Sequence, residues 1–213
     1  MKLRFLVACF ALALTNLAAS AQDNPSPVNP SNASTTGVGP GDVGLYVNPV
    51  ATRITNSQPD TGVFAFLGDN TTSRTFWGAD FGGYVNFYHA HAFDAGIDIR
   101  DMIVTSNNAR LNSFLVGARV IAKPLAESFK PYLQVSVGAA SSKAPTSPIR
   151  QTKLQYGIFG GLDYTLAKHV DFRVFELGYG AASTINSGNF NGTTTFPTSR
   201  LFSISTGLVF RVP

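Results

Sequence analysis

The C-terminal segment Arg200-Leu-Phe-Ser-Ile-Ser-Thr-Gly-Leu-Val-Phe-Arg-Val212 alternates apolar and small polar residues with a period of two. One face of this segment carries Phe202, Ile204, Thr206, Leu208, Phe210 and Val212, and the other carries Ser203, Ser205, Gly207, Val209 and Arg211. Successive side chains of a β-strand point to opposite faces, so the alternation predicts a strand with one apolar face. Its length exceeds the roughly 9–11 residues with which a tilted strand crosses a bilayer.

The same alternation recurs upstream and is interrupted by clusters of Asn, Ser, Thr, Pro and Gly. It predicts eight strands, at 43–54, 75–88, 93–105, 111–122, 131–142, 152–166, 170–182 and 200–212. The connections 89–92, 123–130 and 167–169 are short, those at 55–74, 143–151 and 183–199 are long, and only 106–110 spoils this alternation. Long loops at one end and short turns at the other are typical of membrane barrels. We therefore predict an all-β fold, an eight-stranded antiparallel up-and-down transmembrane β-barrel over residues 43–213.

The N-terminal residues 1–21 have the three parts of a secretory signal peptide. Lys2 and Arg4 precede an apolar run over 5–17, and the small residues Ala19 and Ala21 form a cleavage site. Cleavage would remove Cys9, the only cysteine, so the exported chain must fold without a disulfide. Residues 22–42 are rich in Asn, Pro, Ser, Thr and Gly without apolar periodicity, and predict a disordered linker.

The composition restricts the class of protein further. Charged residues make up 13% of the chain, about half of the usual 25% or so, and Gly (20) and Phe (17) are abundant. The many aromatic residues argue against a disordered chain, and the shortage of charge argues against a coiled coil. The net charge is +4, but the Lys and Arg residues are scattered singly, so we expect no nucleic-acid partner.

The polar face of the predicted strands consists of Gly, Ser and isolated charges, which suits the narrow lumen of an eight-stranded barrel better than bulk water. The charges that we expect there, paired into a structural network, are Asp80, Asp98, Arg100, Arg119, Asp163 and Arg173. Glu176 and Arg211 are weaker candidates, and Glu176 reaches the lumen only if a bulge after Arg173 shifts the alternation. A gate in a solute path is the alternative interpretation of these charges.

Aromatic residues near the strand ends predict two belts at the membrane interfaces. The belt at the long-loop end is predicted to contain Phe76, Trp77 and Phe202. The belt at the short-turn end is predicted to contain Phe87, Tyr88, Phe93, Tyr132, Tyr164, Phe172 and Phe210.

With these features the chain resembles the eight-stranded outer-membrane β-barrels of the OmpA/OmpX type. The last strand matches the C-terminal insertion signal of that family at Ser205, Gly207, Phe210 and Val212. The resemblance implies that the outer-membrane assembly machinery reads this segment and that the chain resides in the outer membrane. Family members usually end on an aromatic residue, whereas this chain ends on Val212 followed by a proline.

No set of residues predicts a catalytic or cofactor-binding site. The resemblance to lipid A deacylases fails, because their His-x-Ser pair does not occur around His89, His91 or His169. A metal site on His89 and His91 would need a third ligand such as His169, and solvated turn residues are the simpler interpretation. We therefore expect no enzyme activity, no cofactor and no metal.

These observations predict a non-enzymatic integral outer-membrane barrel with a structural or surface-interaction role through the long loops 55–74 and 183–199. The expected partners are outer-membrane lipid and the assembly machinery, and the expected state is a monomer. Two alternatives stay open at this stage: a narrow pore or small-solute channel, and a soluble exported barrel that binds a hydrophobic ligand.

Overall fold

The computed structural model describes residues 34–123, 128–184 and 199–212. The predicted signal peptide at 1–21, most of the predicted linker, part of the turn at 123–130 and most of the loop at 183–199 lie outside the described residues. Within the described ranges no helix is long and apolar enough to cross a membrane.

Nine β-strands account for most of the described chain. They are β1 (Thr35–Thr36), β2 (Val43–Asp60), β3 (Thr71–His89), β4 (Phe93–Ser106), β5 (Ala109–Ala122), β6 (Phe129–Lys143), β7 (Arg150–Ala167), β8 (Val170–Ala182) and β9 (Ser199–Arg211). The eight long strands, β2 to β9, correspond to the eight predicted ones. The largest differences are in β2 and β3, which continue well beyond the predicted ends at 54 and 75.

The eight long strands form a closed antiparallel ring. Each strand pairs with its neighbours in sequence, and β2 pairs with β9 to close the barrel. Because β2 and β9 pair, the ring leaves no open sheet edge along its long strands, as a hydrocarbon environment requires. The predicted eight-stranded up-and-down transmembrane barrel is confirmed.

The strand register fixes the tilt of the strands. A path from one paired residue to the next can be followed once around the barrel. It leaves β2 at Thr55, passes through β9, β8, β7, β6, β5, β4 and β3 in turn, and returns to β2 at Leu45, a shift of 10 positions (55 to 45). With a rise of about 3.3 Å per residue and about 4.8 Å between strands, this shear corresponds to a tilt of about 40°. That tilt is typical of small membrane barrels.

Both termini of the barrel lie at one end, together with the short turns. At the other end β4 and β5 meet in a two-residue turn, in which Asn107 and Asn108 both have positive φ angles of 45° and 66°. Two positive φ angles define a type I′ turn, which Asn accepts at little cost. The tight turn explains why this connection is the exception among the long loops.

The predicted disordered linker is wrong at its C-terminal end. Thr35 and Thr36 continue the pairing on β3, opposite His89 and Tyr88. The intervening segment returns to the wall through a hydrogen bond from the Gly41 N–H to the Val212 carbonyl at 2.9 Å. Gly41, with a φ of 86°, takes a backbone conformation that favours glycine and lets this segment turn sharply toward the wall.

The outer face of the wall is apolar. Large side chains that point outward include Trp77 at 67% exposure, Val135 at 55% and Leu154 at 54%. A water-soluble barrel does not expose a continuous surface of this kind. Two of the predicted belt residues are wrong, because Phe76 and Tyr132 are buried inside the barrel. Phe76 lies on the same inward face of its strand as Asp80, and Tyr132 lies on the same inward face as Gln134. The alternation of faces along a strand, which we call parity, therefore decides where these rings point, even near a strand end.

Candidate functional site

A carboxylate–guanidinium pair lies in the middle of the lumen. Arg100 on β4 donates from Nη1 to Glu176 Oε1 at 2.5 Å and from Nη2 to Glu176 Oε2 at 2.7 Å. Its Nη1 also donates to Asp80 Oδ2 on β3 at 3.3 Å. All three side chains are almost completely buried. The bidentate geometry makes this a strong and rigid contact across the barrel.

A β-bulge brings Glu176 into the lumen. Arg173 points inward, Val174 and Phe175 both point outward, and Glu176 points inward again. The registers of β8 with β7 and with β9 both shift at this point. The structure therefore has the bulge after Arg173 that a lumenal Glu176 requires.

A second set of ion pairs lies next to the first. Arg119 donates from Nη2 to Asp163 Oδ2 at 3.0 Å, and Arg173 donates from Nε to Asp163 Oδ1 at 2.9 Å. Arg173 also donates to Glu176 at 3.3 Å, which joins the two sets. The ion pair of Asp98 is longer, with its Oδ2 at 3.9 Å from Arg119 Nη1. The structure thus brings all six of the predicted lumen charges, and Glu176, into one buried network.

Aromatic rings cover the faces of the three arginines. The contacts, measured from guanidinium carbon to ring centre, are Arg100 with Phe159 (4.3 Å) and Tyr46 (5.4 Å), Arg119 with Tyr132 (3.8 Å) and Tyr84 (4.3 Å), and Arg173 with Tyr46 (4.6 Å) and Tyr132 (4.8 Å). Cation–π contacts of this kind strengthen when they are desolvated. Sequence reasoning missed the stacking, although the inward parity of Tyr46 and Tyr84 was a usable signal.

Neutral polar groups complete the network. Tyr132 Oη donates to Glu176 at 2.6 Å, Tyr46 Oη donates to Asp98 at 2.9 Å, and Gln134 donates from Nε2 to the same Asp98 oxygen at 2.7 Å. These bonds hold the carboxylates in place in addition to the ion pairs. Three arginines and four carboxylates are packed together in this layer, which we call the charged layer.

Arg211, the other weak candidate for the lumen, lies at the short-turn end. Its Nε is 3.0 Å from Asp171 Oδ2, and Lys130 donates to the same oxygen at 3.0 Å. Asp171 is buried, whereas the two cations are partly exposed. This cluster covers the short-turn mouth of the barrel and is separate from the charged layer.

The half of the lumen nearest the long loops contains a large apolar cluster, which differs from the predicted polar interior, and buried polar side chains such as Asn56, Asp60 and Ser199 lie beside it. Here Ile54, Val104 and Leu111 are completely buried. The full cluster is Val50, Ile54, Phe66, Leu67, Phe76, Met102, Val104, Ala109, Leu111, Ala140, Ala144, Ala182 and Leu201. Inward positions of β4 and β5 near the loops are apolar in the sequence too, so parity combined with position along the strand could have predicted this layer.

The loop at 61–70 folds back into this apolar half. Phe66 and Leu67 are completely buried, and the Phe66 ring stacks on Phe76 with 5.1 Å between ring centres. Asp60 fixes the loop by accepting hydrogen bonds from the Leu67 N–H at 2.9 Å and from Asn56 Nδ2 at 2.8 Å. We call this loop and the apolar side chains around it the plug.

The histidines do not assemble into a site. His89 lies between Asp94, at 3.0 Å, and Asp42, at 3.3 Å, while His91 and His169 are exposed in separate turns. Among the residues that the structure describes, no group of three or more His, Cys, Asp or Glu side chains could hold a metal ion.

The predicted insertion signal occupies a definite position in the wall. Ser205 points into the lumen, where it lies 3.4 Å from Glu176, and Phe210 and Val212 point outward. Gly207 lies against β2, where a side chain would meet Asn48. Whether assembly machinery reads this segment stays a prediction.

The closed ring, its tilt, its apolar outer face and its filled interior define an eight-stranded transmembrane β-barrel. No family model matches the chain, and no curated protein sequence matches it. Among solved structures the chain is similar to Neisserial surface protein A, with a TM-score of 0.53 and 16% identity over 81% of this chain and 99% of that one. It is also similar to Ail, the attachment invasion locus protein of Yersinia pestis, with a TM-score of 0.50 and 9% identity over 81% and 99%. The chain therefore has the fold of the outer-membrane barrels, and at these identities the likeness extends to the fold alone.

Proposed function

We propose that the protein is a non-enzymatic outer-membrane β-barrel whose role is structural or depends on contacts at its loop-bearing surface. The observation that carries this proposal is the filled lumen. The charged layer closes the middle of the barrel, and the plug closes the half above it. A barrel that two packed layers close in series is suited to anchor its loops at the membrane surface and is poorly suited to conduct solutes.

The outward surface supports the membrane part of the proposal. Its apolar band ends at polar and basic residues near the loops, and strands β2, β3 and β7 continue past it by several residues. These extensions carry the loops away from the bilayer. Thr146 Oγ1, in the loop between β6 and β7, donates a hydrogen bond to the Val63 carbonyl, in the loop at 61–70, at 2.8 Å and so connects the two loops. The loop at 183–199, which the sequence predicts as an interaction surface, stays part of the proposal.

Fractionation and gel mobility test the membrane location. The mature chain should be recovered in the outer-membrane fraction, and the unboiled protein should migrate differently from the boiled protein in a denaturing gel. Recovery in the soluble periplasmic fraction without detergent would support the soluble exported barrel instead. N-terminal sequencing of the recovered protein tests the predicted cleavage after Ala21.

Planar-bilayer recording distinguishes the anchor from the narrow pore. The observation that favours a pore is the loose contact of 3.9 Å between Arg119 and Asp98 inside the charged layer. We expect the wild-type protein to give no steady channel openings, because the plug lies in series with this layer. Steady openings in the wild type would contradict the proposal and favour the pore.

A further inference from the structure

Three basic residues stand side by side on the outer surface of the barrel, at its long-loop end. Arg110 on β5 is paired directly with Lys143 on β6, and Lys143 is paired directly with Arg150 on β7. All three side chains lie on the outward face: Arg110 and Lys143 alternate with buried residues on their strands, and Arg150 is exposed and alternates with the less exposed Gln151. We call them the cation row.

A row of like charges on adjacent strands is unfavourable by itself. Like charges directly opposite one another destabilise a sheet, because their Cβ atoms are only about 4.5–5.5 Å apart. Among the residues that the structure describes, none of the three cations has a carboxylate within ion-pair distance. Such an arrangement is stable when an external anion neutralises it.

The residues below the cation row form two further rows in the same register. The next outward row is Asn112, Ser141 and Thr152, and the row below it is Phe114, Ala139 and Leu154. Moving toward the bilayer, the surface therefore changes from cationic to hydrogen-bonding to apolar over four residues of each strand. This sequence of layers matches an amphiphile with an anionic headgroup and acyl chains.

The distances place the cation row at headgroup depth. Four residues span about 13 Å of strand, or about 10 Å along the membrane normal at a tilt of about 40°. Polar headgroups occupy about 5–7 Å on each side of the hydrocarbon core. When the apolar row borders the hydrocarbon, the backbone of the cation row lies just outside this layer, and the long Arg and Lys side chains reach back into it. The side chains project sideways from the wall, toward lipid, and not upward from the loops.

From this juxtaposition we propose that Arg110, Lys143 and Arg150 bind the phosphorylated headgroup of an outer-leaflet lipid. The Arg side chains can hold phosphate oxygens in two parallel hydrogen bonds, and Lys143 supplies a point charge between them. Asn112, Ser141 and Thr152 bind the polar part of the headgroup, and the acyl chains lie against Phe114 and Leu154. This inference rests on the proposed membrane location and on the long loops facing the cell exterior.

Native mass spectrometry of the full mature chain in mixed micelles with diphosphorylated lipid A measures the binding. A basic residue near an anionic lipid surface contributes roughly fivefold in affinity, so R110Q/K143Q/R150Q should lose on the order of a hundredfold. R110K/R150K keeps the charge but removes the paired hydrogen bonds of the guanidinium groups, so its affinity should lie between those of the wild type and the triple variant. K168Q, in an exposed turn at the opposite end, should bind like the wild type.

Competing ligands identify the source of the anion. Lipid A from which both phosphates have been removed should bind the wild type no better than the triple variant does, and excess inorganic phosphate should compete poorly because it has no acyl chains. Equal lipid A binding by the wild type and the triple variant overturns the proposal. The proposal is also overturned if the triple variant keeps lipid A binding and instead loses binding to a sulfated polysaccharide, because the cation row would then bind a soluble polyanion and not a lipid.

The gel-mobility test separates this inference from the proposed function. If the triple variant still shows heat-modifiable mobility, its barrel is folded, and a loss of lipid binding then belongs to the cation row. If the wild type shows no heat-modifiable mobility, the membrane barrel itself fails, independently of the lipid.

Discussion

At the scale of single residues, the buried charges have the largest consequences. Glu176 accepts hydrogen bonds from Arg100, Arg173 and Tyr132, and it neutralises two arginines that have little access to water. A buried charge whose partner is removed keeps its desolvation cost and loses the compensating attraction. The contribution of such a residue is therefore visible mainly when it is replaced.

Replacing Glu176 by Gln should destabilise the barrel by about 3–5 kcal/mol, because two arginines remain buried with one carboxylate fewer. Gln has nearly the same shape, so the change isolates the charge. Urea unfolding of protein folded in phospholipid vesicles measures the effect. Asp69→Asn, in the exposed loop at 61–70, is the matched control and should change the free energy of unfolding by less than about 0.5 kcal/mol. Equal unfolding midpoints for the two variants would show that the network does not support the fold.

At the scale of elements, the period-two pattern predicts the strands best where lipid lies outside and the lumen inside. Strand β8 has its predicted bounds because both environments act along all of it. The pattern fails in β2 and β3, where β2 continues to Asp60 and β3 begins at Thr71, beyond the apolar band. Water lies outside there, so polar residues can occupy both faces.

The candidate site follows the same division. The alternation along a single strand was enough to predict that Arg100 and Arg119 point into the lumen, because the inward face of a strand is a local property of its sequence. The plug was not predictable in this way, since the loop at 61–70 has no periodicity and its burial of Phe66 depends on side chains from several strands. The cation row depends on register across β5, β6 and β7, which alternation along one strand does not determine.

Gly207 tests the seam between the first and last long strands, β2 and β9. A Cβ atom at Gly207 would lie 2.7 Å from Asn48 Cα, and neither backbone can move away without opening the ring. Gly207→Ala should therefore cost about 1–3 kcal/mol and reduce the folded yield in vesicles without any assembly machinery. Gly157→Ala is the control, since its Cβ would be 3.3 Å from the Tyr179 carbonyl. If both variants fold equally well, the glycine serves recognition and not closure.

The segment at 35–37 is held to the barrel by His89, which should make its attachment depend on pH. Both ring nitrogens face acceptors, Nδ1 to Asp94 at 3.0 Å and Nε2 to the Gly37 carbonyl at 3.1 Å. Asp42 also faces the ring, and Lys123 pairs with Asp94 on its other side. The hydrogen bond to Asp94 is the main cause that raises the pKa of His89 above its usual value.

Because the folded pKa is raised, the stabilisation is fully present below the unfolded value of about 6.5 and is lost as the pH rises through the folded pKa. The Gly37 amide, which donates to the Phe87 carbonyl at 2.9 Å, should exchange faster with solvent at about pH 8.5 than at about pH 5.5 after correction for intrinsic rates. His89→Gln should remove this dependence. Unchanged protection of the wild-type amide across this range would contradict the tether.

At the scale of the whole molecule, two different kinds of packing close the barrel in series. The charged layer is held by directional bonds between side chains of opposite walls, such as Arg100 with Glu176. The plug is held by apolar contact and by the Asp60 bonds to its loop. Since each layer closes the lumen by itself, opening one of them should leave the barrel closed.

Phe66→Ala together with Leu67→Ala removes the centre of the plug and leaves the charged layer intact. We expect a loss of about 4–10 kcal/mol of stability if the two effects add, because large-to-small changes in a core cost about 2–5 kcal/mol each. We also expect no steady conductance in planar bilayers, because Arg100, Arg119 and Arg173 still fill the lumen. Adding Glu176→Gln to this variant loosens the second layer and should produce channel openings. Steady openings from the double variant alone would show that the plug is the only barrier and that the charged layer is permeable.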